Sequence, residues 1–150
     1  MNLLQEIRGT IQAAESIAGL QDLSARLEQV LNRYGETAVF LGKRAMGPEV
    51  KKAFTQAHPF LEVTGDIVLA WMLLWRAAVA QPRLAGLLEG AADPAARIAA
   101  DREAAFYDGQ LKAAAFFIRT QLPVTAGRIQ AIQEGDAAAV LEAAEASFGG

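Results

Sequence analysis

The sequence predicts an all-α protein, an antiparallel bundle of four main helices with a short extra helix at the C-terminus. Three observations carry this expectation. Alanine is abundant while Val, Ile, Thr and Tyr are scarce, which favours helix over sheet. Apolar residues recur at steps of three and four along most of the chain. No two alternating runs are joined by a hairpin turn. A length of 150 residues reads as one helical-bundle domain over 1–150, with its core over 20–148.

Leu3, Leu4, Ile7, Ile11 and Ala14 set the first helix, with Gly19 as a C-terminal cap. Leu20, Leu23, Leu27, Val30, Leu31, Tyr34, Ala38, Leu41 and Ala45 set the second. Gly35 and Gly42 lie inside it, where each costs about 1 kcal/mol relative to alanine, so they are read as points of close helix approach. Gly47-Pro48 stops this helix and starts the next. The third element runs from Glu49 to Ala80, with Pro59 kinking or splitting it and Gln81-Pro82 breaking it. Beyond the break, Leu84 to Leu88 adds a turn or two. The segment from Phe60 to Ala80 is apolar nearly all round, as in the middle helix of a bundle. Asp93 and Pro94 read as N-cap and first residue of a fourth helix that runs to Glu134, kinked at Pro123. Gly135-Asp136 stops it, and a short last helix, Ala137 to Ala146, turns Val140, Leu141 and Ala144 inward.

Charge and composition exclude several functions. The formal net charge is -3, with no basic run or stripe of the kind nucleic-acid binding leans on. There is no cysteine, hence no disulfide framework, thiol nucleophile or cysteine-based zinc site. The start, MNLLQEIRGTIQ, lacks a signal peptide's features, and a cytoplasmic protein is expected. The run IVLAWMLLW, Ile67 to Trp75, is too short for a bilayer span, and no membrane span is expected.

Enzyme signatures are missing in turn. His58 is the only histidine and Thr55 stands three residues before it, so no Glu-x-x-His di-iron motif exists. His58 precedes Pro59 and is read as capping a carbonyl freed at the kink rather than as a general base. Gly35 to Lys43 has too many residues between its glycines for a phosphate loop, and Arg44 replaces the required Ser or Thr. Ser16, Ser24 and Ser147 lack the G-x-S-x-G setting of a nucleophile. Glu62 and Asp66 lie four apart at the head of the most apolar helix. Both facing solvent is one reading, and a buried pair with one raised pKa is the other. Trp71 and Trp75, also four apart, are read as core, with stacking on a flat ligand as the alternative. Phe116 and Phe117 point about 100° apart, one toward the core and the other toward an interface. No residue is assigned to catalysis, cofactor binding or a metal.

Two blocks in order carry a resemblance. The first is Phe60-Leu-Glu-Val-Thr-Gly65 through Trp71 to Trp75; the second is Phe106-Tyr107, Leu111, Ala114, Phe116-Phe117 and Leu122-Pro123. Together they resemble the extra C-terminal helical domain of a subgroup of FAD-dependent acyl-CoA dehydrogenases, the acetyl-CoA dehydrogenase-like C-terminal domain. Gly135 and Phe148 fit that domain's short closing helix. Gln110 stands where the family usually has lysine and Ala115 where it has arginine, so this helix is less positive than usual. The resemblance covers the chain from the second helix onward.

It implies a non-catalytic module that packs on the enzyme's other domains or on a second copy of itself, a homo-oligomer in the latter case. The flavin and the catalytic glutamate of such an enzyme belong to domains that precede this one, so FAD is implied for the parent and no cofactor for this chain. Phe40, Phe54 and Phe148 are the exposed aromatics expected at a hydrophobic interface. The alternative is a stand-alone bundle that binds an acyl chain or another apolar ligand among Trp71, Trp75, Phe116 and Phe117. An enzyme using Glu62 or Asp66 as base is a third reading, without a visible partner or pocket.

Overall fold

The computed structural model describes residues 3–135 and 141–149. Among the described residues six α-helices follow in order: α1 Leu3–Glu15, α2 Gln21–Ala45, α3 Val50–Thr55, α4 Ala57–Leu88, α5 Pro94–Ala100 and α6 Arg102–Glu134. A single 3₁₀ turn, Glu145–Phe148, comes after them. The all-α expectation holds.

The packing departs from the simple antiparallel bundle. Arg8 Nη2 donates to Asn32 Oδ1 at 3.3 Å, so α1 folds back on α2. Tyr34 stacks on Phe60 with ring centroids 5.0 Å apart, and Gln81 lies against Gly19, so α4 runs opposite to α2. Asp66 meets Thr125 while Val79 meets Phe106, so α6 runs opposite to α4. But Asp22 meets Arg119 and Thr37 meets Gln133, so α2 and α6 lie side by side in the same direction. Helices α2 and α4 touch each other and both touch α1 and α6, while α1 and α6 stay apart. The arrangement is a rhombus with α2 and α4 across its short diagonal.

The core starts earlier than residue 20. Ile7, Ile11 and Ala14 of α1 are buried with Leu27 and Leu31 of α2, Val63, Ile67 and Leu74 of α4, and Ile118, Leu122 and Ile129 of α6. Burial of such side chains is the main stabilising term, roughly 1.5–3 kcal/mol each. The three buried polar side chains described, Ser24, Thr37 and Thr125, all have partners. Gln133 Nε2 donates to Thr37 Oγ1 at 2.8 Å and ties the far end of α6 to α2.

Several local expectations are corrected. The third element does split, but at Gln56, and Pro59 falls in the first turn of α4, where a missing N–H leaves no helical bond unmade. Gln81-Pro82 does not break the helix. Pro82 sits on the exposed side, and continuing past it buries Leu84 at 7 % exposure. Pro123 likewise lies within an unbroken α6. The fourth helix is two helices, because Asp101 is an N-cap whose Oδ1 accepts from Glu103 N at 2.9 Å and Ala104 N at 3.2 Å. Asp93 caps α5 as expected, with Pro94 in its first turn. Gly19 takes φ +88, the left-handed cap expected after α1. Gly47-Pro48 falls in the turn before α3 rather than starting it. Gly35 and Gly42 mark no close approach, since a Cβ on either would meet nothing within 4 Å. Leu141 and Ala144 are exposed rather than inward, and Asp136, Ala137 to Val140 and the side chain of Phe148 lie outside the described residues.

Charge pairs brace the surface. Arg26 at 2.9 Å and Arg119 at 3.1 Å flank Asp22 and hold its carboxyl below its ordinary 3.8, with the Arg26 hydrogen bond the larger cause. Lys52 lowers Glu49, and the backbone N–H of Ala104 lowers Asp101. A carboxylate depressed on folding stabilises above its unfolded pKa and loses that contribution as pH falls through its folded value. Stability is therefore expected to hold from pH 7 to about 5 and to drop below about 4. Thermal melts against pH check this. Asp22→Asn with Asp101→Asn should flatten the acid limb, because asparagine still caps but does not titrate there. An acid limb unchanged by the pair would contradict this assignment.

Candidate functional site

Helix α4 carries most of the candidate residues, and its 32 residues turn two apolar faces outward from one axis. At 100° per residue, Val63, Ile67, Ala70, Leu74 and Ala77 form the buried side. Opposite them run Leu61, Gly65, Val68, Met72, Trp75 and Val79. Of these, Leu61 is 68 % exposed, Trp75 55 % and Val79 52 %. Long and apolar enough to cross a membrane by length and composition alone, α4 has mean hydropathy 1.5 over its best 18 residues. The run Ile67 to Trp75 is thus part of a longer apolar helix than the short-run reading allowed for. Here one side of it packs on α1, α2 and α6.

Glu62 and Asp66 do not form a pair. Glu62 is exposed, with His58 Nε2 at 3.8 Å. His58 is itself 82 % exposed and caps no carbonyl. The expected cap fails because Pro59 sits in a first turn and frees no carbonyl there. Asp66 turns toward α6 instead, with its side chain 19 % exposed. Its Oδ2 accepts from Thr125 Oγ1 at 2.8 Å, Arg128 Nη1 at 3.1 Å and Gln121 Nε2 at 3.4 Å. This is a clasp between helices: three donors converge on one oxygen. Sequence reading missed Gln121, Thr125 and Arg128. Their spacing of four then three residues, on one face of α6, was the available signal.

The aromatic candidates are dispersed. Trp71 packs on the core and its Nε1 donates to Thr10 Oγ1 at 2.7 Å. Trp75, one turn on, is exposed. Phe117 packs on the core while Phe116 is 72 % exposed, the division expected for adjacent positions. Trp71, Trp75, Phe116 and Phe117 therefore line no common cavity. Phe40 is half-buried under the Arg44 guanidinium, 4.3 Å from its ring centroid, and is not a free aromatic. Phe54 is 71 % exposed.

What does form is a groove of about 300 Å³ between α4 and α6, lined by Trp75, Arg76, Val79, Phe106, Tyr107 and Gln110. Its walls are apolar and it is open to solvent. Gln110 lines it, and Gln110 Oε1 is buried with no hydrogen-bond partner among the described residues. Arg76 has no carboxylate within ion-pair distance among the described residues. Ala115 is half-buried against the core and contributes nothing to this groove. Among the described residues no three His, Asp or Glu side chains gather as metal ligands. The groove offers shape and apolar area for binding.

The Asp66 clasp should be structural. Asp66→Ala is expected to cost about 1–3 kcal/mol, since the hydrogen bonds of Thr125, Arg128 and Gln121 to a charged acceptor are lost. Asp66→Asn, which keeps an acceptor, should cost less. Urea unfolding measures both, and an unchanged midpoint for Asp66→Ala would contradict the clasp.

A family described as acetyl-CoA dehydrogenase C-terminal like matches residues 3–142. The match begins in α1, ahead of the second helix. No curated protein matches the chain.

Proposed function

The chain belongs to the acetyl-CoA dehydrogenase C-terminal-like family, and we propose that it serves such an enzyme as a non-catalytic packing module. It would seat on the enzyme's other domains or join its subunits, in a cytoplasmic, FAD-dependent acyl-CoA dehydrogenase acting in acyl-CoA oxidation. The observation that carries this is the outer face of α4. A contiguous apolar stripe opposite the buried face is unusual on a free surface and usual at an interface.

The chain's own residues do not fit a flavin. The polar groups of the α4–α6 groove are one guanidinium, one amide and one phenol on helix sides, with no glycine-rich turn leading into a helix to cradle a pyrophosphate. Redox chemistry is accordingly assigned to other domains.

A second reading is favoured by Gln110. Gln110 lines an apolar groove and its oxygen is unpaired among the described residues, which suits a small apolar ligand that carries one donor and can displace the side chain to reach it. Quenching of tryptophan fluorescence on titration with a fatty acid would support that reading, and a flat titration would remove it.

The packing reading is tested by a blot of source-cell lysate with an antibody raised to this chain. A band far heavier than 16.0 kDa is expected, or a 16.0 kDa band that migrates with a heavier polypeptide on a native gel. A 16.0 kDa species associated with nothing, itself included, would contradict the reading.

A further inference from the structure

The outer stripe of α4 has a symmetry of its own. Leu61, Gly65, Val68, Met72, Trp75 and Val79 follow one another in alternating steps of four and three, the spacing of a coiled-coil seam. The steps read the same from either end, with their centre at Ala70. Two such helices laid side by side in opposite directions bring Leu61 onto Val79 of the second copy, Gly65 onto Trp75 and Val68 onto Met72. Large meets small where it matters most. A Cβ built on Gly65 meets nothing within 4 Å, so the exposed Trp75 indole of the other copy has an open seat over bare backbone. Leu61 of the other copy would enter the groove between Trp75, Val79 and Phe106. Laid in the same direction, Trp75 would meet Trp75 and Gly65 would meet Gly65.

The charges point the same way. Glu62 and Arg76 lie on one flank of the stripe, about 40° apart around the helix. A two-fold axis beside Ala70, crossing the helices in their plane of contact, reverses direction but keeps that flank on the same side. Glu62 of each copy then stands about 3 Å along the axis from Arg76 of the other, at 1.5 Å per residue. Among the described residues of one copy Arg76 has no carboxylate within ion-pair distance, and Glu62 has only exposed His58 at 3.8 Å. Leu69, 47 % exposed on the same flank, would meet its own copy next to the axis.

We propose that the outer stripe of α4 pairs antiparallel with the same stripe of a second copy, closed by two Glu62–Arg76 ion pairs. This rests on the reading of the chain as a packing module and names its partner at this face.

Sedimentation velocity of the 150-residue chain, from nanomolar to high micromolar, is expected to show 16.0 kDa giving way to about twice that mass. Glu62→Arg and Arg76→Glu should each weaken the dimer at least about ten-fold, because both pairs become repulsive. The double exchange should restore it. Gly65→Leu fills the indole's seat and should weaken the dimer without lowering the melting temperature of the dilute chain, since leucine suits a helix better than glycine. A chain monomeric at every concentration overturns the seam, as does a double exchange no better than its single variants. The packing reading fails separately, on the blot. A chain that is monomeric alone but migrates with a heavier polypeptide sinks the seam and leaves that reading standing.

Discussion

The whole structure depends on one helix that is apolar on two opposite sides. Helix α4 buries Val63, Ile67, Ala70, Leu74 and Ala77 against its neighbours, while Leu61, Trp75 and Val79 on its far side stay more than half exposed. The first face organises the fold. α1, α2 and α6 each lay a row of apolar side chains onto it or onto each other, and α1 and α6 need not meet because α2 and α4 lie between them. The second face is what remains when a middle helix is placed at the edge of a four-helix set. Water exposure of that face disfavours the isolated chain by the same apolar area that would favour an interface.

Apolar packing alone leaves the sliding register of a long helix pair loosely defined, and polar contacts supply the missing definition. Asp66 gathers three donors from α6, Thr37 holds Gln133, Trp71 holds Thr10, and Asp22 bridges to Arg119. Each joins residues far apart in sequence, so a shift by one turn would break it, and at Asp66, Thr37 and Trp71 would leave a partly buried polar group unpaired. The same contacts engage Asp66, whose side chain is 19 % exposed, in holding α4 to α6.

The helices were legible in the sequence because their apolar rows keep one period. Positions such as Ile7, Leu27, Ile67 and Ile118 are buried where the period places them. The breaks were less legible. Pro82 reads as a stop by local rules, yet the burial of Leu84 beyond it offsets one lost hydrogen bond. Asp101 stands in an alanine-rich stretch that reads as continuous helix, yet two backbone N–H groups closing on its carboxylate start α6 afresh. The candidate site was half legible. The all-round apolarity of Phe60 to Ala80 is plain in the sequence, and by itself it points to burial on every side. Which side lacks a neighbour depends on how α1, α2 and α6 pack, and no local pattern states that. Trp71 and Trp75, one turn apart, were read as one environment and occupy two.

The central claim is that the outer face of α4 is covered when the protein is at work. Acrylamide quenching of Trp75 emission, in a Trp71→Phe background shown to be folded, measures that cover at the residue concerned. The account predicts ready quenching in dilute solution, where Trp75 is 55 % exposed, and protection as the chain is concentrated. Equal quenching at every concentration, with the chain folded throughout, would contradict the claim that a second copy covers this face.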